Sequence, residues 1–270
     1  MPLPWALRGL RDGVVTTDWP RRDDAYQAEF PAVVQVDHSA GTRPQRVRLL
    51  ETGLDHLCPS GALLATDDDI RLDRGRCIGC GRCVDAAPDV FSWAHSASTA
   101  ELTRGRLVVP RLVEDEETLA RIRAQLAARV GRLGRSVHIR HVDAGSDGSE
   151  EWEVQALLNP VYDVHRLGIF FTASPKHADI LLVTGVGTPG MSAPLLRTRE
   201  AMPEPVVVIA AGTDAISGGL FASGYSTRDG VGSFLEIDVW VPGSPPSPFS
   251  LLHGILLALG RIPAQTKGRR

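Results

Sequence analysis

The four cysteines of this chain, Cys58, Cys77, Cys80 and Cys83, all belong to one pattern. Three form Cys77-Ile-Gly-Cys80-Gly-Arg-Cys83, and the fourth comes from a separate Cys58-Pro59-Ser60-Gly61 segment. Thiolates bind iron–sulfur clusters; C-x-x-C-x-x-C sets three sulfurs around one corner of a cube, and a remote cysteine followed by proline closes it. With no cysteine left over, the spacing predicts one [4Fe–4S] cluster held by all four. Structural zinc accepts four thiolates too, but normally through two separated C-x-x-C knuckles. Disulfides suit a secreted chain better than one without a secretory signal.

A second set of ligands is missing in an orderly way. In two-cluster bacterial ferredoxins each C-x-x-C-x-x-C-x-x-x-C-P run lends its last cysteine to the other cluster. Here the second run ends at Ala87-Pro88, and counting back from Cys58 places the other absent ligands at Arg48, Glu51 and Leu54. One site has lost all four ligands and the other has kept all four. Residues 35–110 are therefore expected to form an α+β ferredoxin-like domain reduced to one cluster.

A chain of 270 residues with 43% hydrophobic residues has room for two domains with real cores. Its net charge of −3, with no basic run interleaved with aromatics, argues against nucleic acid as a partner. Nothing approaches 18 consecutive apolar residues, so no transmembrane segment is expected. Residues 1–11 lack the apolar core of a signal peptide, which makes the cytoplasm the default location.

Leu3, Leu7, Leu10 and Val14 recur at helical spacing, with Arg8 and Arg11 between them. Such a helix either packs on the protein's own core or lies on a membrane or a membrane subunit. Residues 1–34 are expected to hold this helix and an extended segment. A second stripe, Leu119, Ile122, Leu126, Val130 and Leu133, predicts a linker helix within 111–135, with acids 114–117 at its start. Beyond it, 136–264 reads as an α/β domain with a parallel sheet, followed by a basic tail at 265–270. Strands are expected at Val137–Val142, Ile180–Val183, Val206–Ile209 and Ile237–Val241, with helices near 151–158, 191–202 and 248–260.

Gly185-Val-Gly187-Thr-Pro-Gly190 matches G-x-G-x-x-G between a strand and a helix, with Asp214 past the next strand. A lone glycine fingerprint is weak, and Pro189 removes an N–H donor from the turn a phosphate would use. Histidines 138, 141, 165 and 177 form no pair at metal-ligand spacing, and no catalytic triad is legible.

Several stretches carry a resemblance: Asp143-Ala-Gly-Ser146, Asn159-Pro-Val-Tyr-Asp163, Arg166-Leu-Gly168, Ala173-Ser-Pro-Lys-His-Ala-Asp179, Met202-Pro-Glu-Pro205, Ser217-Gly-Gly219 and Val241-Pro-Gly-Ser-Pro-Pro246. In this order they resemble the small-subunit family shared by complex I and the membrane-bound, formate-hydrogenlyase-type [NiFe] hydrogenases. The N-terminal part, including Gly13-Val-Val-Thr-Thr-Asp-Trp-Pro20, is similar to the ferredoxin-type subunit of the same complexes. The chain thus resembles a fusion of two neighbouring subunits.

The resemblance implies a flavodoxin-like fold that docks a hydrogenase-like large subunit and holds its own [4Fe–4S] cluster. The four positions implied for that cluster's cysteines are Asp147, Glu150, Asp214 and Ser244 here, so this second cluster is expected to be lost. The acids would then be vestigial, or bind a hard cation, or handle protons. The expected role is a non-catalytic iron–sulfur subunit of a membrane-bound hydrogenase- or complex-I-related assembly. It would carry one electron on one cluster and reach membrane subunits through its N-terminal helix. In the alternatives, the cluster is structural within a redox-inactive, ion-translocating scaffold, or the chain is a soluble oxidoreductase with a nucleotide at Gly185–Gly190.

Overall fold

The computed structural model describes residues 3–22, 26, 30, 33–54, 56–66, 69–110, 116–131, 133–134, 136–222 and 224–262. Acids 114 and 115 and the basic tail lie outside the described residues. After α1 (Leu3–Asp12), the first half runs β1 (Val33–Val36), α2 (Arg43–Thr52), β2 (Leu63–Ala65), β3 (Ile70–Asp73), α3 (Arg82–Ala86), β4 (Phe91–Ala94) and β5 (Val108–Val109). Strands β1 and β4 pair antiparallel, and β2, β3 and β5 make a second antiparallel sheet. Between them Val34, Leu54, Leu63, Ile70, Leu72 and Phe91 form a small core, with Cys58, Cys77 and Cys83 packed against it.

The four positions of the absent ligand set have divided. Leu54 is buried in that core and Ala87 packs on it, whereas Arg48 and Glu51 sit on the exposed side of α2. One turn earlier, Arg46 is buried and holds the loops around α2 together. Its guanidinium bonds Asp69 (2.6 Å) and the carbonyls of Asp37 (2.8 Å) and Ser39 (3.1 Å). Arg46→Ala would remove the cation from Asp69, leaving it to His38 and the Ile70 amide, and would leave the two carbonyls to Thr42. A loss of about 1–3 kcal/mol in a urea melt is the expected outcome.

The second half runs α4 (Glu116–Val130), β6 (Val137–Asp143), α5 (Ser149–Ala156), β7 (Ile169–Phe171), β8 (Ile180–Thr184), α6 (Pro189–Glu200), β9 (Val207–Ala211), α7 (Thr213–Ser217), β10 (Val239–Val241) and α8 (Pro248–Ala258). Five parallel strands form one sheet in the order β7-β6-β8-β9-β10. Numbered along the chain, that is the flavodoxin-like order 2-1-3-4-5. Strands β8 and β9 are buried at every position, as a sheet covered on both faces requires. Helix α8, capped by Ser247 accepting from the Ser250 amide, is buried along its whole length.

The two halves share cores. Ala97, Ala100 and Leu102 join the α/β cluster that also takes Leu119, Leu126 and Val130 from α4, so that helix packs into the α/β part. Glu101 and Trp240 exchange both backbone hydrogen bonds (2.9 and 2.8 Å) beside β10. The N-terminal strap belongs to the same body. Thr17 N–H donates to Val161 O (2.8 Å), and buried Trp19 and Tyr162 both meet Phe249 edge to face. Helix α1 does not pack on the core: residues 4–12 are all exposed, including Trp5, Leu7 and Leu10. The first of the two readings of that helix is therefore not what the structure shows.

Candidate functional site

The cysteine site is built by a loop that only glycine can follow so tightly. Gly79 (φ 66°) and Gly81 (φ 75°) hold left-handed backbone between successive cysteines, and Gly61 (φ 62°) does so after Cys58. The 77–83 loop thereby winds around a point that the Cys58 segment also reaches. All four cysteines line one open pocket, together with apolar Val34, Leu63, Leu72 and Ile78. Three are half-buried and Cys80 is exposed, so the site has one open side.

The sulfurs meet peptide donors. Ala62 N–H points to Cys58 Sγ (3.2 Å), and the amides of Gly79 and Val84 serve Cys77 and Cys83. Burial, with the neighbouring thiolates adding to it, pushes the Cys77 thiol up and the Cys83 thiol up to about 11. Thiolates here need a positive partner, and bound metal ions deprotonate such thiols outright. Among the described residues no three His, Cys, Asp or Glu side chains crowd around a point as one metal ion requires. A cubane spreads four thiolates over four irons with a cavity between them, and this donor set fits that group.

The loop abuts the α/β part directly. Thr213 Oγ1, at the start of α7, donates to Cys77 O (3.0 Å), and Gly75 is pressed between Arg104 and Ile216. Next to Thr213 in the chain is Asp214, one of a set of acids beyond the carboxyl ends of β6, β8 and β9. This is the topological switch point where ligands of such sheets bind.

Glu150, in the first turn of α5, is fully buried, and its carboxylate lies over Gly212. Burial foremost, with the charges of Asp214 and Asp147 adding, raises it to about 7, and its own amide and Ser149 offset only part of that. Asp214 is raised to about 6 by burial, then by Asp147 and Glu151. Asp147 is exposed and bound by Ser149 (2.7 and 2.9 Å), which holds its carboxyl below the usual range. The three acids thus feel one another's charge, but among the described residues they do not come together as ligands of one metal ion would. Ser244 is exposed, and only its neighbour Gly243 is tied to Thr213 (2.7 Å).

Sequence reasoning missed Thr213, whose role depends on a contact across 136 residues. It also missed Glu151, which accepts from Ser146 (2.6 Å) and Thr184 and approaches His141 (3.6 Å). The glycine-rich turn is filled by the chain itself. A Cβ on Gly185 would stand 2.6 Å from Gly145 C, and one on Gly187 3.2 Å from the Phe234 ring. These glycines serve packing. His138 and His165 stack on Phe170, and His177 is exposed.

The family model described as NADH ubiquinone oxidoreductase, 20 Kd subunit, matches residues 148–258. A probable membrane-bound hydrogenase subunit, mbhJ of Pyrococcus furiosus, is 38% identical over 54% of this chain and 90% of its own length. The chain belongs to the 20 kDa subunit family. An NADH-quinone oxidoreductase subunit of Carboxydothermus hydrogenoformans is 46% identical over 46% of this chain and 84% of its own length. Formate hydrogenlyase subunit 7 of Escherichia coli is 35% identical over 60% of this chain, which spans 62% of that protein. A chain of the membrane-bound sulfane sulfur reductase, an archaeal respiratory membrane complex, superposes with a TM-score of only 0.42 at 29% identity, covering 47% of this chain and 70% of that one.

A second family model, a 4Fe-4S single cluster domain, matches residues 70–129, a span that includes Cys77, Cys80 and Cys83 but not Cys58. Along this chain the match to the 4Fe-4S model lies ahead of the match to the 20 kDa subunit model. The chain has no cysteine anywhere in residues 84–270.

The acids make stability depend on pH. Glu150 and Asp214 have folded values above their unfolded ones, so the fold favours their protonated forms. That contribution is complete below about pH 4 and is lost as pH rises through about 6 and then about 7. Glu150→Gln keeps the shape without the charge. It is expected to gain on the order of 2–3 kcal/mol over wild type in urea melts at about pH 8, and little at about pH 4.

Proposed function

We propose that this protein is an iron–sulfur subunit of a membrane-bound hydrogenase- or complex-I-related assembly, carrying one [4Fe–4S] cluster on Cys58, Cys77, Cys80 and Cys83. The observation that carries the reading is the convergence of these four side chains on one apolar cavity. The cluster supplies one-electron chemistry, and the chain sets its potential through the amides of Ala62, Gly79 and Val84 and through burial. Exposed Cys80 gives electrons a short way in or out.

The α/β part docks a hydrogenase-like large subunit. Supporting this, Trp152, Leu220, Phe221 and Tyr225 are exposed on it, and such apolar surface marks partner sites. Helix α1 reaches toward membrane subunits with Trp5, Leu7 and Leu10 on its surface beside Arg8 and Arg11. Among the described residues no helix is long and apolar enough to cross a membrane. Attachment through partner subunits would be peripheral, on the cytoplasmic face. The relatives named as hydrogenase and NADH-quinone oxidoreductase subunits give the class of assembly.

A second reading, a structural cluster in a redox-inactive scaffold, is favoured by one observation. Asp147, Glu150, Asp214 and Ser244 stand where the resemblance implies thiolates, and oxygen ligands do not replace four thiolates on a cube.

Anaerobic iron and sulfide analysis with low-temperature EPR, titrated with dithionite, tests the proposal. About four irons per chain and one S = ½ signal, abolished by Cys80→Ala, is the expected result. About eight irons, or two interacting signals, would show that the acidic pocket holds a cluster after all. A cluster that reduces only as the protein unfolds would favour the scaffold.

A further inference from the structure

Glu150 is fully buried, yet its Oε1 has no hydrogen-bond partner; Oε2 lies 3.2 Å from Ser149 Oγ, whose one proton it shares with Asp147 Oδ1 at 2.7 Å. The free oxygen points at the backbone of Gly212, where a Cβ would come within 2.5 Å of it. Only a glycine leaves room for it there. The next residue is Thr213, whose hydroxyl bonds the carbonyl of Cys77. The residue under the buried carboxyl oxygen, Gly212, and the residue that bonds the cysteine loop, Thr213, are thus neighbours in the chain.

The charges facing Glu150 are of one sign. Asp214 comes from α7 and Asp147 from the turn before α5, while Glu151 of α5 acts in turn on Asp214. Strand β6 adds Asp143, whose Oδ1 is bound by the amides of Gly145 and Ser146, and His141, which burial keeps from charging and which pairs with Glu151. Helix α8, which packs on α5, carries His253, whose ring accepts from Ala100 N–H (3.2 Å) and which burial lowers to about 4. A vestigial pocket would have no reason to keep a buried carboxyl facing like charges. A cation would need ligands closer together than these acids stand.

We propose that Glu150 is a proton-binding site linked to the electron count of the cysteine site, an inference that rests on reading Cys58, Cys77, Cys80 and Cys83 as cluster ligands. A low-potential one-electron donor adds one electron to the cluster, so its net charge falls by one and no bond in it breaks. The Glu150 carboxylate takes one proton from solvent hydronium, an O–H bond breaking there as one forms at Oε1 and water is left. Added negative charge nearby favours the neutral acid. By reciprocity a protonated Glu150 favours the reduced site. Because Glu150 already titrates near neutrality, ordinary changes of pH move its occupancy.

The test is EPR-monitored redox titration of the full chain between about pH 5.5 and 9. Wild type should show a midpoint potential that falls as pH rises through the region around 7, and Glu150→Gln should show a flat one. A reducible signal whose potential ignores pH in wild type overturns the linkage and leaves the cluster reading standing. A slope that survives in Glu150→Gln overturns the assignment to Glu150. Absence of any reducible signal overturns the cluster reading and the linkage together. Should Glu150→Gln fail to fold, the reduced-minus-oxidised infrared spectrum of wild type decides alone: a gained carboxylic C=O band supports the proposal, and its absence sinks it.

Discussion

Cys77→Ala is expected to strip the chain of its iron and to unfold much of its first half. Cys77 lines the cavity, packs on the small core of β1–β5 and lies in the loop that Thr213 holds. That core is small and borders the site, so ligand binding there is also folding free energy. For structural metal sites in small domains the contribution is on the order of 10 kcal/mol. Iron per chain should fall from about four to near zero. Amides within 63–94 should exchange freely while those within 180–211 stay protected. Retention of four irons would remove Cys77 from the ligand set. Retention of full protection at 63–94 would show that the antiparallel sheets stand without the cluster.

Gly185→Ala should cost more than about 4 kcal/mol, enough to prevent accumulation of folded protein. Two effects add. The residue sits at φ 79°, and its new methyl would come within 2.6–2.8 Å of the backbone of Gly145 and Ser146, which has nowhere to move. Gly190→Ala is the control. It lies in the first turn of α6 with nothing within 4 Å of a Cβ, and alanine there should be neutral or gain about 0.5 kcal/mol. Equal chemical-denaturation midpoints for the two variants would defeat the packing account and return the glycine-rich turn to ligand binding.

How much of this was legible in the sequence depended on whether a residue's role was local. Strands β8 and β9 were evident as apolar runs because both faces of the sheet are covered. Strand β7 was missed: three residues, Ile-Phe-Phe, carry no usable period. Helix α7 is a single turn of Thr-Asp-Ala-Ile-Ser, equally silent. The stripe on α1 was readable, but which surface it faces was not, since periodicity says that a face is apolar and not what covers it. Arg46 looked like one more charge on a polar helix, and only the fold shows it buried under four loop residues.

The site divided in the same way. The cysteine spacing announced itself because cluster geometry is written into steps of three. The acidic pocket came from resemblance alone, since Asp147, Glu150 and Asp214 share no motif. Nothing in the residue types announced that Glu150 would be the buried member and Asp147 the exposed one. That follows from Gly212, whose missing side chain makes the space.

The paired bonds between Glu101 and Trp240 have a consequence for how this molecule can be taken apart. They occupy the outer rim of β10, the last strand of the sheet, with a residue that belongs to the iron–sulfur half. A fragment beginning after residue 110 would bare that rim and the apolar bed left by Ala97, Ala100 and Leu102, a ready template for self-association. Dissection into two pieces should therefore yield aggregates rather than modules. A partner that recognises this protein by adding a strand would find that margin of the sheet already taken.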